Sequence, residues 1–236
     1  MLKKIYWNFF RRNIFGITGP LRVLPDFIMI GSMKCGTTSL YYDICEHPCA
    51  SPAAYDEIGF FDSNFHLGLN WYRSMFPTKR RIEDIRRKEG VAITGEDTPF
   101  YFWNPVAAKR IQKLLPNIKL ITILRNPIDR AYSNYNAAVK NKKMTLSFED
   151  AIKTEEARIK GIMEKMKEDA NYISTEYSLN ALLNRGKFYF AIKRWMDVFP
   201  KNQFFIIKSE DFFLIINILT IYPFFVQVPY LVSKDK

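Results

Sequence analysis

The sequence has too few cysteines and histidines for either a disulfide framework or a zinc site. Its three cysteines, Cys35, Cys45 and Cys49, are an odd number without paired spacing, and only His47 and His66 accompany them. No metal constellation is therefore expected, and a reduced compartment is the simpler reading of the thiols. Internal repeats and low-complexity linkers are also lacking, which excludes solenoids and strings of small domains. So is a clean leader. The opening MLKKIYWNFFRRNIFGITGP is interrupted by Asn8, Arg11, Arg12 and Asn13, so residues 1–22 read as an amphipathic segment rather than a signal peptide or a spanning helix. A cytoplasmic location is expected on that ground, with the Golgi or a membrane surface as the alternative if an N-terminal anchor is missing.

Acidic residues are scarce. Against 35 Lys and Arg stand 24 Asp and Glu, a formal charge of +11, which favours an anionic partner without choosing among nucleotide, polyanionic sugar, lipid and nucleic acid. The basic residues are scattered in pairs such as Arg80-Arg81 and Arg86-Arg87, the pattern of solvated faces rather than of a nucleic-acid stripe. What the chain does have is core material. With 48% hydrophobic and 16% aromatic residues, 236 residues suffice for one well-packed domain.

Short apolar runs alternate with helical patterns. Asp26–Ile30, Val91–Thr94, Lys119–Leu124 and Gln203–Ile207 read as buried strands. Helices are predicted at Thr38–Glu46, Pro105–Leu115, Ile128–Val139, Ser147–Asp169 and Phe188–Val198, the fourth opening on a Ser147/Asp150 cap. Strands separated by helices imply an α/β domain: a P-loop-like parallel sheet flanked by helices, with ligands at the carboxyl ends of the strands. The apolar tail from residue 213 does not fit this pattern, and Pro223 and Pro229 make it a poor membrane span.

Two segments carry chemistry. Gly31-Ser32-Met33-Lys34-Cys35-Gly36-Thr37-Thr38-Ser39 lies between the first strand and the first helix, where backbone N–H groups and the helix N-terminus favour an anion. Its glycines copy the Walker spacing, but threonine occupies position 37 where an ATPase needs lysine, and the lysine is inside the loop at Lys34. An ordinary kinase is disfavoured, although the same turn could serve strand-to-helix geometry alone. Arg125, where the third strand leaves the sheet, offers a planar fork suited to phosphate, with Ser133 on the following helix. Pairing of Arg125 with a carboxylate is the alternative. Two anion-binding devices on neighbouring strands suggest a ligand with phosphates at two ends.

Together, PDFIMIGSMKCGTTSLYYDICEHP, EIGFFD, LNWYRSMFP, GEDTPFYF, KLITILRNPIDRAYSNY, SFEDAI and RGKFYFAIKRWMDVFPKNQFFIIKSEDF resemble the sulfotransferases that use 3′-phosphoadenosine-5′-phosphosulfate (PAPS), especially the carbohydrate and heparan-sulfate branch and its bacterial-type relatives. The likeness runs from about Leu24 to Phe212, giving a domain at 23–212. It implies PAPS as donor, 3′,5′-ADP as product, no metal, no nucleic-acid partner, and a small-molecule or saccharide acceptor sulfated on a hydroxyl or amine. It also implies roles: Ser32, Lys34, Cys35, Gly36, Thr37, Thr38 and Ser39 around the 5′-phosphosulfate, Arg125 and Ser133 on the 3′-phosphate, Glu57 as general base, and Lys34 as electrophilic support.

Three departures accompany the likeness. Gly59 stands where relatives often carry histidine, and Asp97 where heparan-type enzymes carry lysine. Past Phe212 the basic, glycine-bearing segment of the relatives is not found, so the C-terminal part, residues 213–236, reads as truncated or aberrant. A catalytically impaired PAPS- or 3′,5′-ADP-binding protein is the alternative reading, and a P-loop nucleotide kinase a more distant one. His47, His66 and the tryptophans are expected to pack, with Trp103 as a candidate for lining an acceptor cleft.

Overall fold

The structure, a computed structural model, describes residues 15–169, 172 and 174–215. Most of the N-terminal amphipathic segment and nearly all of the apolar tail read from the sequence therefore lie outside the described residues. In chain order the elements are β1 (Phe27–Gly31), α1 (Thr37–Glu46), α2 (Leu69–Arg73), α3 (Lys79–Glu89), β2 (Gly95–Asp97), α4 (Ala107–Leu114), β3 (Lys119–Leu124), α5 (Pro127–Lys140), α6 (Phe148–Lys153), α7 (Glu155–Ile159), α8 (Ile162–Glu168), α9 (Thr175–Asn180), α10 (Phe188–Met196), β4 (Phe204–Lys208) and α11 (Ser209–Ile215). Short 3-10 turns include Pro99–Phe102 and Asn184–Gly186.

The strands form a parallel sheet in the order β2-β1-β3-β4. Phe27 pairs with Gly95 on one side and Lys119 on the other, and Leu120 pairs with Phe204. Successive side chains leave a strand on opposite faces, so a sheet covered on both sides needs apolar residues at every position. Accordingly Ile28, Ile30 and Leu120 enter a core with Phe60, Tyr72, Phe102 and Trp195. Phe27, Met29, Ile121 and Ile123 pack on the other face against Leu40, Tyr41 and Ile44 of α1. Among the described residues no helix is long and apolar enough to cross a membrane.

Two expectations need correction. The second strand is Gly95–Asp97, not Val91–Thr94. The apolar run is used elsewhere: Ile93 accepts from Ser51 N and donates to Cys49 O, both at 2.9 Å. Glu96 and Asp97, polar yet buried, take the place beside β1. The helix expected over Ser147–Asp169 is three pieces, α6, α7 and α8. Ser147 does accept from Asp150 N at 3.1 Å, but Gly161 turns left-handed at φ 71° and ends continuity.

A buried carboxylate fixes the turn before α10. Glu155 accepts from Leu183 N and Asn184 N, each at 2.7 Å. That turn carries Arg185 and Gly186, and Gly186 lies so near Pro127 that an added Cβ would sit 3.1 Å from the proline Cβ. Glu155→Ala would strand both amides, so urea unfolding should show a loss of about 2 kcal/mol.

Candidate functional site

β1 ends at Gly31, whose φ of 152° and closeness to Phe102 and Pro99 leave no room for a side chain: a Cβ would meet Phe102 Cβ at 2.7 Å and Pro99 O at 2.8 Å. Ser32 N then donates to Ile123 O at 2.9 Å, tying the loop to β3. Lys34 at φ 67° and Gly36 at φ 102° are both left-handed and curl the loop onto the start of α1. No side chain caps that helix end. Its first N–H groups and the positive end of its dipole are left for an anion.

The second device is held as firmly. Asn126 Oδ1 accepts from Ile128 N at 2.9 Å and caps α5, with Pro127 in the first turn, where its missing N–H costs nothing. Asn126 N donates to Glu210 Oε1 at 2.9 Å, and this bond pulls the Glu210 carboxyl below its ordinary range. The Arg125 turn is thus bracketed by β3, α5 and the start of α11.

One cavity of about 400 Å³ opens at these strand ends, between β1 and β3, where the strand order reverses. Lys34, Cys35, Gly36, Thr37, Thr38, Ser39, Glu57, Arg125 and Ser133 all line it. Ser32 does not share that lining. It is fully buried, and its Oγ accepts from Trp103 Nε1 at 3.3 Å. Trp103 is itself buried in the core. Met33, Pro99 and Ser209 also line the cavity and were missed by the sequence reading. Pro99 and Ser209 follow closely on β2 and β4, so the rule that ligands gather at carboxyl ends would have found them once the strand limits were known.

Positive charge backs the cavity from inside. Arg130 and Arg185 are fully buried. Arg130 donates to Leu182 O and Arg185 to Ser178 O, the latter at 2.7 Å. Among the described residues Nε and Nη1 of Arg130, and Nε and Nη2 of Arg185, have no hydrogen-bond partner. Burial first, and the neighbouring Arg130 charge second, bring Arg185 down to about 9. Both guanidiniums act on the Cys35 thiol, which burial nevertheless pushes up to about 11, disfavouring the thiolate.

Glu57 reaches the cavity from an exposed loop at φ 52°, left-handed like Lys34. Its N–H donates to Asp97 O at 2.8 Å. The Asp97 carboxyl is buried with Oδ1 unpartnered among the described residues, and desolvation, followed by the charges of Glu57, Asp56 and Glu96, holds it well above the usual carboxylate range. His47 and His66 stand outside the cavity lining, and His47 Nδ1 lies 2.8 Å from Cys49 Sγ. No group of three or more potential metal ligands occurs among the described residues.

The chain is similar to known sulfotransferases. Over 145 residues, 59% of the chain, it is 37% identical to the membrane-associated sulfotransferase kil1 of Dictyostelium discoideum. Over 201 residues, 80% of the chain, it is 29% identical to human bifunctional heparan sulfate N-deacetylase/N-sulfotransferase 2. These alignments cover 30% and 20% of the two relatives' own lengths. A crystal structure of a sulfotransferase from Alicyclobacillus acidocaldarius superposes with a TM-score of 0.57 at 28% identity, covering 80% of this chain and 75% of that one. The pattern of the sulfotransferase domain matches residues 24–215, and the chain belongs to that family.

Proposed function

We propose that this chain moves the sulfo group of PAPS to a hydroxyl or amine of a saccharide. The observation that carries the reading is the single cavity lined at once by Lys34, Glu57, Arg125 and Ser133. Its volume of about 400 Å³ falls in the range of small-molecule sites, and cationic groups on two of its walls suit a nucleotide with phosphate at both ends. Arg125 forks the 3′-phosphate while the Ser133 hydroxyl donates to it. Lys34 and the uncapped start of α1 hold the 5′ end.

In the transfer, the acceptor oxygen or nitrogen forms a bond to sulfur as the sulfur–oxygen bond to the 5′-phosphate breaks. Glu57 takes the acceptor proton, and the electron pair of the broken bond stays on the phosphate oxygen, where Lys34 and the α1 N–H groups stabilise it. A sulfated acceptor and 3′,5′-ADP result. No metal enters this scheme. The saccharide class rests on the relatives named as heparan sulfate N-sulfotransferases, and a cytoplasmic location remains part of the proposal. Gly59 and Asp97, departures from the pattern that the resemblance implies, bear on the acceptor side and, for Asp97, on charge support at the sulfo group or on acceptor choice; neither removes the donor walls.

In calorimetry, 3′,5′-ADP should bind and ATP with magnesium should not compete; the opposite result would turn the reading toward a nucleotide kinase. Arg125→Ala should weaken 3′,5′-ADP by roughly 10–100-fold, the worth of a hydrogen-bonded charge. Glu57→Gln should leave that affinity unchanged and slow single-turnover transfer by about 10²–10⁴-fold. Binding with no transfer by the unmodified chain would make it a donor-binding protein instead of an enzyme.

A further inference from the structure

The loop that carries Glu57 is stitched to β2 and the turn after it by every second amide. Glu57 N donates to Asp97 O at 2.8 Å, Gly59 N to Thr98 Oγ1 at 3.3 Å, and Phe61 N to Tyr101 Oη at 3.1 Å. A hydroxyl that accepts an amide proton still has its own proton to give. Thr98 gives its proton to Glu96 Oε2 at 2.8 Å, and Tyr101 faces the same oxygen at 3.4 Å. Tyr72, from α2, donates to Oε1 at 2.5 Å. Glu96 itself is completely buried in the middle of β2. The carboxylate therefore sets the direction of two hydrogen-bond chains, amide to hydroxyl to carboxylate, that end on the Glu57 loop.

We propose that Glu96 is a positioning residue for sulfo transfer, holding Glu57 in its left-handed conformation at the cavity through the hydroxyls of Thr98 and Tyr101. The inference rests on the assignment of Glu57 as base. A non-glycine residue at φ 52° persists where its surroundings over-determine it, and the clamp on Gly59 and Phe61 adds to the bond from Glu57 N to Asp97 O.

Titration gives the clamp a signature. Burial, helped by Asp62 and opposed by the Tyr72, Thr98 and Tyr101 hydrogen bonds, raises Glu96 to about 7. The ionisable groups that act on it or feel its charge are Tyr72 on α2, Tyr101 on the following turn, Asp62 on the clamped loop, Asp97 beside it and Tyr41 on α1. Ionised, Glu96 accepts from all three hydroxyls; protonated, one oxygen becomes a donor and one hydroxyl loses its acceptor. The sign for stability is opposite to that for positioning. The native state holds this proton more tightly than the unfolded chain, so the Glu96 contribution to stability is full below about 4.5 and is lost as pH rises through about 7.

The test compares Glu96→Gln, Thr98→Val, Thr98→Ser and Glu57→Gln in the full chain, reading kcat, donor KM, 3′,5′-ADP affinity and the pH profile. Glutamine cannot accept from all three hydroxyls, so Glu96→Gln should lower kcat by roughly 10–100-fold, the effect of a misplaced reacting group, with 3′,5′-ADP affinity unchanged. It should also erase the rise in rate through about pH 7 and flatten the fall in thermal stability between about 4.5 and about 7. Thr98→Val should follow it in kcat while Thr98→Ser keeps the native rate, which separates the hydroxyl from packing even if the Glu96 variant does not fold. Native kcat and pH profile in Glu96→Gln, or in Thr98→Val, with Glu57→Gln inactive, would overturn the clamp alone. Full activity in Glu57→Gln would overturn the base assignment and the clamp's purpose with it.

Discussion

β1 and β3 lie side by side and parallel, and past their paired residues the contact continues as Ser32 N donates to Ile123 O. Both chains then leave the sheet from the same edge. Because the strand order reverses here, the connection after β1 and the connection after β3 diverge, and a crevice opens between them. The two turns that carry Lys34 and Arg125, distant in sequence, come to line one space. Without that pairing, Lys34 and Arg125 would be two unrelated surface cations.

The rest of the molecule serves that crevice with unequal means. The apolar faces of the sheet supply rigidity through burial, whereas directional bonds fix the turns: Asn126 with Ile128 and Glu210 around Arg125, which lines the cavity, and Glu155 with the turn bearing Arg185. Among the described residues the buried ionisable side chains include Arg130, Arg185, Glu155, Glu96, Asp97 and Asp62. Each costs desolvation free energy; the two arginines act on Cys35 of the cavity lining, Glu155 holds the turn that bears Arg185, and Glu96, Asp97 and Asp62 lie in or against the loop that carries Glu57. Such a concentration of unfavourable burial around one crevice is expected of a site rather than of a core.

Much of this was legible beforehand. The KLITIL run is apolar on both faces and so declared a central parallel strand; the glycine spacing of residues 31–36 declared a turn at a helix start; and the helical spacing of Ile128–Val139 declared the next helix. The second strand was misread because hydrophobicity was the only guide to burial. Glu96 and Asp97 look like a surface pair, and nothing local reveals that Tyr72, Thr98 and Tyr101 surround Glu96. The long helix after Ser147 was misread for a related reason, since a helical period does not register a left-handed glycine in its course. Ser32, grouped with the donor loop by its position, is turned inward toward Trp103, a contact 71 residues away along the chain.

By itself the sequence determined three of the four strand runs, the glycine turn after the first strand, which residues bring positive charge, and which family these motifs resemble. Those properties depend on near neighbours, whose sterics and periodicity act over a few residues. The tertiary structure alone decided that Glu57 shares a cavity with Lys34, Arg125 and Ser133, and that Thr98 and Tyr101 link the buried carboxylate of Glu96 to amides of the loop that carries Glu57. Those facts depend on hydrogen bonds and charges between segments up to about a hundred residues apart, and such distances are set only when the sheet closes.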